Sequence, residues 1–254
     1  MATEKKVTRV SNSKSDNARP AFVPTAESKS QAGKFRKYAV ILWVLAVIAQ
    51  IVGIWLLYKY APLTTGQRVG LIGILAVDLV LLISGSSFWK KANRFDPPSK
   101  ASALFGIQSQ FGVIMAAVCF VPVIIVAFIK KEWLVLATAI AMMIGGGATS
   151  ADYNPASQEE YAEQITEVET LTGHDFVYWT KSGTKFHLYD ECRYINTSKT
   201  TEIFEGSVAD ARKEKNITEL CSACKTKVMK ERDISDEQLQ EAQDAAKKAL
   251  ENAE

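Results

Sequence analysis

Three of the four cysteines in this 254-residue chain, and one of its two histidines, fall between positions 187 and 224. They form two pairs, His187-x4-Cys192 and Cys221-x2-Cys224, separated by 28 residues. Four soft or borderline donors so spaced are what a tetrahedral zinc site needs. All four positions would be filled by protein, which makes the site closed and structural, with no vacancy for a catalytic water. Two other readings stay open. Cys221 and Cys224 alone could form a redox dithiol or a disulfide, although a thioredoxin-like site needs a βαβ context that the segment lacks. The thiols could also simply be buried. His174 and Cys119 lie outside the constellation.

The ligands need elements to hold them. Phe176–Thr180 is rich in aromatic and β-branched residues, Gly183 offers a turn, and Lys185–His187 follows, which predicts a β-hairpin. The hairpin would deliver His187 at its exit and Cys192 in the loop beyond. Ser207 starts a short helix, Val208 to Lys215, with Asp210 at capping-box distance. Leu220 then leads into the Cys221–Cys224 knuckle and another short helix. The expected module is β-β-α over residues 175–228. Before it, a linker helix within 151–174 shows Tyr161, Ile165, Val168 and Leu171 on one face, with Ser157 and Glu160 at its start and Gly173 at its stop. After it, 229–254 reads as a charged helix opened by Ser235 and Gln238, with Ile234 and Leu239 spaced as a staple. Its thin apolar face (Leu239, Ala242, Ala246, Leu250) predicts a helix that frays or meets a partner.

The run Phe-His-Leu-Tyr-Asp-Glu-Cys-Arg-Tyr-Ile (186–195), the Ser-initiated helix and Leu-Cys-Ser-Ala-Cys-Lys (220–225) resemble the small Ada-type metal-binding module. That module occurs in a bacterial DNA alkylation-repair protein, and relatives are appended to bacterial secreted and membrane proteins. The resemblance covers about 50 residues and implies a zinc site made by His187, Cys192, Cys221 and Cys224. The family's methyl-accepting first cysteine is His187 here, and the gap to the second ligand is four residues instead of three. An imidazole cannot act as a thiolate acceptor, so phosphotriester repair does not carry over.

Composition divides the chain. Residues 1–150 hold 17 Lys+Arg against 6 Asp+Glu, whereas residues 151–254 hold 13 against 22. Residues 1–37 are polar, basic and without apolar periodicity, which predicts a disordered tail. Four apolar blocks follow within 38–150. Blocks 38–58, 69–89 and 103–129 are long enough to cross a bilayer, and 133–148 is short. Pro122 would kink the third. The fold class expected is an α-helical membrane protein of about four transmembrane helices followed by a small α+β zinc-binding domain. With the N-terminus inside, Lys90, Lys91, Arg94, Lys100 and the basic tail lie on one side, and only Lys59, Arg68, Lys130 and Lys131 on the other. This predicts a multi-pass cell-membrane protein with both termini cytoplasmic, where a reducing environment keeps the thiols available to a metal.

Asp78 sits in mid-span, where a charge costs about 3 kcal/mol at least. It reads either as an ion, proton or substrate contact or as a hydrogen-bonded strut between helices, with Gln50, Gln108 or Gln110 as partners. No P-loop, zinc-protease or nucleophile-elbow motif appears, so no catalytic role is expected. The function predicted is membrane presentation of a cytoplasmic zinc module to a protein partner or a second copy of the chain. Nucleic acid has weak support, since residues 174–228 balance nine Lys+Arg against eight Asp+Glu. The alternatives are a small transporter or channel using Asp78, with a regulatory zinc domain, and a thiol or metal sensor.

Overall fold

The computed structural model describes residues 6–10 and 24–251, with side chains as far as Lys248. In chain order the elements are β1 (Lys6–Arg9), α1 (Ala26–Tyr60), α2 (Thr65–Phe95), α3 (Phe105–Ser109), α4 (Phe111–Ile129) and α5 (Trp133–Ser150). Then come α6 (Gln158–Thr172), β2 (Phe176–Thr180), β3 (Lys185–Phe186), β4 (Glu202–Ser207), α7 (Val208–Lys215), β5 (Glu219–Leu220), α8 (Ser222–Arg232) and α9 (Asp236–Glu251). They fall into two compact units. The helical unit comprises residues 24–98 and 102–155; the mixed unit comprises, of the described residues, 6–10, 99–101 and 156–251.

In the helical unit, α1, α2, α4 and α5 are each long and apolar enough to cross a membrane. Their outward faces expose large apolar side chains such as Ile41, Ile51, Val80, Ile125 and Ile144, while Leu75, Leu82, Phe120, Val123 and Ala139 fill the interior. Side-chain oxygens begin the first two helices: Thr25 accepts from the Ser28 amide, and Thr64 forms a reciprocal capping box with Gln67. Close approach of α1 and α2 depends on Gly85, where a Cβ would lie 2.6 Å from Trp43 Nε1. Trp43, Trp89 and Phe111 then pack ring to ring.

Each end of this bundle is tied. At one end the buried Glu132 carboxylate accepts from the Leu63 amide at 2.7 Å and from Arg68 Nε at 2.8 Å, joining the α1–α2 turn to the α4–α5 turn. At the other end, Arg36 pairs with Asp96, and the Gln110 side chain bonds the Asp152 backbone in both directions.

Several boundaries differ from the sequence expectation. The tail predicted over 1–37 is structured where it is described: Lys6–Arg9 pair in a sheet, and α1 begins at Ala26 rather than 38. Residues 1–5 and 11–23 lie outside the described residues. The polar start of α1 is helical because α2 runs on to Phe95 and packs against it. Ala32 and Phe35 pack on Ala92 and Phe95, and Ser28 Oγ donates to the Phe95 carbonyl. The block 103–129 is divided at Gln110, so the long helix there is 111–129, with Pro122 inside it.

The mixed unit has two small sheets, β1-β4-β2 and β3-β5. β2 runs antiparallel to β4, and β1 and β5 are parallel to β4 and β3 respectively. The predicted hairpin is present as one bridge: Tyr178 and His187 exchange both backbone hydrogen bonds, at 2.8 and 2.7 Å. The simple β-β-α order is therefore corrected, since β1, β4 and β5 were not expected. Val168, Leu171, Val177, Trp179, Phe186, Val208, Ile217 and Val228 make the core. The two helices expected to flank the module belong to it. α6 contributes Val168 and Leu171, and α9 buries Leu239 and Ala246. The caps read at Ser157, Gly173, Ser207 and Ser235 all form.

Candidate metal centre

Strand register builds the site. β3 pairs with β5 as Lys185↔Glu219 and Phe186↔Leu220, so the next residues, His187 and Cys221, emerge side by side. The Cys221 amide donates to the Phe186 carbonyl at 2.9 Å, which continues that register. Cys221 is also the N-cap of α8, and Cys224 stands in its first turn. Both sulfurs are thus carried on the first turn of one helix, which fixes their spacing. Cys192 arrives on the turn after β3, held by the Ile195 and Asn196 amides, which donate to its carbonyl at 2.9 and 2.7 Å.

The four donor atoms lie within 4.8 Å of one another, and Cys224 Sγ is 3.8 Å from His187 Nδ1. Bonds of about 2.3 Å to sulfur and about 2.0 Å to nitrogen put the corners of a tetrahedral zinc site about 3.5–3.8 Å apart. The cluster therefore needs to contract by about 1 Å at its widest to meet that geometry. His187, Cys221 and Cys224 are buried, Cys192 is half-buried, and all four cysteines of the chain are free thiols.

Burial lowers the His187 imidazole to about 4, so the ring is neutral and able to ligate. Burial also pushes the Cys224 thiol up to about 12, although the Leu188 amide, which hydrogen-bonds it, works in the opposite direction. A cation at the centre of the cluster would supply the charge that a buried Cys224 thiolate lacks. The donor chemistry fits a divalent metal that accepts sulfur and imidazole. A groove of about 350 Å³ runs alongside, lined by Tyr189, Asp190, Arg193 and Lys227 with Cys192 and Cys224.

All four residues singled out by spacing thus come together. Asp78, the fifth, belongs to the helical unit. It is fully buried, and neither carboxylate oxygen has a hydrogen-bond partner among the described residues. The strut reading, with Gln50, Gln108 or Gln110 as partner, is not what the structure contains. Gln110 is committed to Asp152, and the Gln50 side chain is itself buried and unbonded. Cys119 lies close enough to Asp78 to interact with it electrostatically.

Sequence reasoning overlooked two polar anchors. Glu132 follows Lys130 and Lys131 in the short link between the third and fourth apolar blocks, where a charged residue is ordinary. Arg212 is a fully buried guanidinium bonded to Gln164 and Glu160. The Val-Ala-Asp-Ala-Arg helix gave no sign of it, because the partners lie about 50 residues earlier on α6.

Comparison with family models, curated proteins and solved structures found no match to this chain.

Proposed function

We propose that the chain is a four-span membrane protein that presents a cytoplasmic zinc-stabilised domain to a protein partner. The observation that carries this reading is the convergence of His187, Cys192, Cys221 and Cys224 within 4.8 Å. A bound zinc would supply a structural cross-link between the β3 exit, the 188–196 turn and the start of α8. The chain's own residues do the rest: the β3–β5 register sets His187 and Cys221 beside each other, and the first turn of α8 carries both Cys221 and Cys224. The Ada-type likeness agrees with such a clamp, and the histidine at the first ligand position argues against methyl transfer.

Contacts inside the mixed unit support the span count. β1 pairs with β4, while Ser99 Oγ and the Lys100 amide both donate to Glu159 at 2.7 Å. Residues 6–10, 99–101 and 156–251 therefore share one side of any bilayer. The α1–α2 pair and the α4–α5 pair must each return the chain to that side, so the short fourth helix counts as a crossing. The basic residues Lys34, Arg36, Lys37, Lys90, Lys91 and Arg94 lie toward the same ends of these helices, which supports a cytoplasmic placement of that side by the positive-inside rule.

The test is metal analysis of the full chain in detergent, with Cys221→Ser as control. One zinc per chain, lost in the variant, is expected; a metal-free wild-type protein purified under reducing conditions would sink the reading. A second reading, ion or proton movement through the bundle, is favoured by one observation, the unpartnered burial of Asp78 and Gln50. Asp78→Asn that kept full conductance or transport in vesicles would remove it.

A further inference from the structure

The outer edge of β4 is covered by a segment that contributes almost nothing to the core. In Lys6–Arg9 three of four side chains are exposed and Thr8 is half-buried. The strand lies parallel to β4 in the register Lys6↔Glu202, Val7↔Ile203, Thr8↔Phe204 and Arg9↔Glu205, and the Val10 amide extends it by donating to the Glu205 carbonyl at 2.8 Å. Beyond main-chain bonds, it is held by charge. Lys6 faces Glu202 at 3.9 Å, and Thr8 Oγ1 donates to Glu202 at 2.6 Å. Arg9 Nη2 meets Glu205 at 2.7 Å, with its guanidinium 5.7 Å from the centre of the Phe176 ring. Surface ion pairs of this kind hold weakly, and a sheet edge is a template for any extended segment that can pair with it.

Lys6 and Arg9 are three residues apart and so point to opposite faces of their strand, and Glu202 and Glu205 repeat that spacing. The edge thus reads a cation on each face, and a one-residue slip would lose both. β4 does not need the strand to stay in place. On its other side it pairs with all five residues of β2, it buries Ile203, and Phe204 stacks on Trp179.

We infer that the β4 edge is a docking edge for an extended segment of a partner protein carrying Lys or Arg at two positions three apart, and that Lys6–Arg9 is its resident competitor. Docking is strand addition: backbone pairing gives the affinity, and Glu202 and Glu205 set the register. The resident strand, tethered through the 13 residues that separate Val10 from Pro24, occupies the edge at high effective concentration until a partner displaces it. This deepens the partner-binding reading by naming the surface, and it does not depend on the metal.

The experiment uses the full membrane protein in nanodiscs, intact and with residues 1–12 removed, and a fluorescent peptide of residues 4–11 (Glu-Lys-Lys-Val-Thr-Arg-Val-Ser). The truncated chain should bind the peptide, and the intact chain should bind it at least about tenfold more weakly. Glu202→Lys with Glu205→Lys in the truncated chain should abolish binding, and a peptide with the Lys6→Glu and Arg9→Glu changes should restore it. Zinc is measured on the same samples. Zinc retained without peptide binding overturns the docking edge and leaves the metal reading standing; binding without zinc does the reverse. A concentration-dependent dimer of the intact chain, dissolved by the peptide, would assign the edge to a second copy and overturn the external partner.

Discussion

Arg212 Nη2 lies 3.0 Å from Glu160 Oε2, with the arginine side chain wholly buried and the glutamate carrying the contact to α6. The same guanidinium bonds Gln164 at 2.9 Å and sits 4.7 Å from the centre of the Tyr161 ring. Glu160 also pairs with Lys100 at 3.1 Å, so one carboxylate joins α7, α6 and the 99–101 segment. Arg212→Ala should therefore destabilise the mixed unit by about 3 kcal/mol, because it removes a buried guanidinium from Glu160, Gln164 and the Tyr161 ring and leaves Glu160 with the more exposed Lys100. Arg212→Lys should recover less than half, since an ammonium cannot reach both partners in one plane. Hydrogen exchange of the α6 and α7 amides reads the loss; wild-type protection in Arg212→Ala would show that the pair carries no stability.

Glu132 makes a pH prediction. The Arg68 hydrogen bond, with help from the Leu63 amide, holds its carboxyl below the usual glutamate range. A folded-state value below the unfolded one gives stability that is fully present above the unfolded value, about 4.3, and is lost as pH falls through the folded one. Thermal melting of the detergent-solubilised chain should fall below about pH 4.5, and Glu132→Gln should flatten that part of the profile. Glu132→Ala should cost about 2 kcal/mol at neutral pH by orphaning the Leu63 amide. Arg68 is more exposed, so Arg68→Ala should cost less than Glu132→Ala.

Removing the metal should loosen one unit and spare the other. A chelator strong enough to strip zinc, or Cys224→Ser, should increase amide exchange in β3, β5 and the start of α8 by at least about 100-fold, because so small a core depends on its cross-link. Exchange in α1 and α2 should not change. Equal protection with and without chelator would make the cluster a set of buried thiols.

Asp78 tests the bundle. A buried carboxyl carries a desolvation cost, and no hydrogen bond from the described residues offsets it here. Asp78→Val, which keeps the volume close and removes the polar atoms, should leave the melting temperature unchanged or raise it. A loss equivalent to about 2 kcal/mol or more would reveal a polar network around the residue. If Asp78 serves ion or proton movement, the same variant is a stable protein without that activity.

Much of the architecture was legible along the chain. The four apolar helices follow from length and hydropathy, because a bilayer-length run of apolar residues has few other stable forms. The helix caps at Ser157, Gly173, Ser207 and Ser235 were readable for a similar reason, since capping depends on residues within one turn. The four ligands could be chosen from residue type alone, because few side chains can hold a soft metal and here they stand in two close pairs.

What remained to tertiary structure is whatever depends on partners far apart in sequence. That β5, two residues long, would set Cys221 beside His187 is a matter of register across 34 positions, and no local pattern encodes it. The placement of Lys6–Arg9 on β4 joins residues almost 200 positions apart; a four-residue polar strand has no stability until an edge receives it. Arg212 and Glu132 look like surface charges in the sequence and become buried anchors only when α6 and the α1–α2 turn reach them. Asp78 shows the reverse. The sequence allowed it a hydrogen-bond partner, and packing gave it none among the described residues. Local chemistry named the candidate ligands and drew the helices; only the closing of long loops decided which charges are buried, which edge is covered and how the four donors meet.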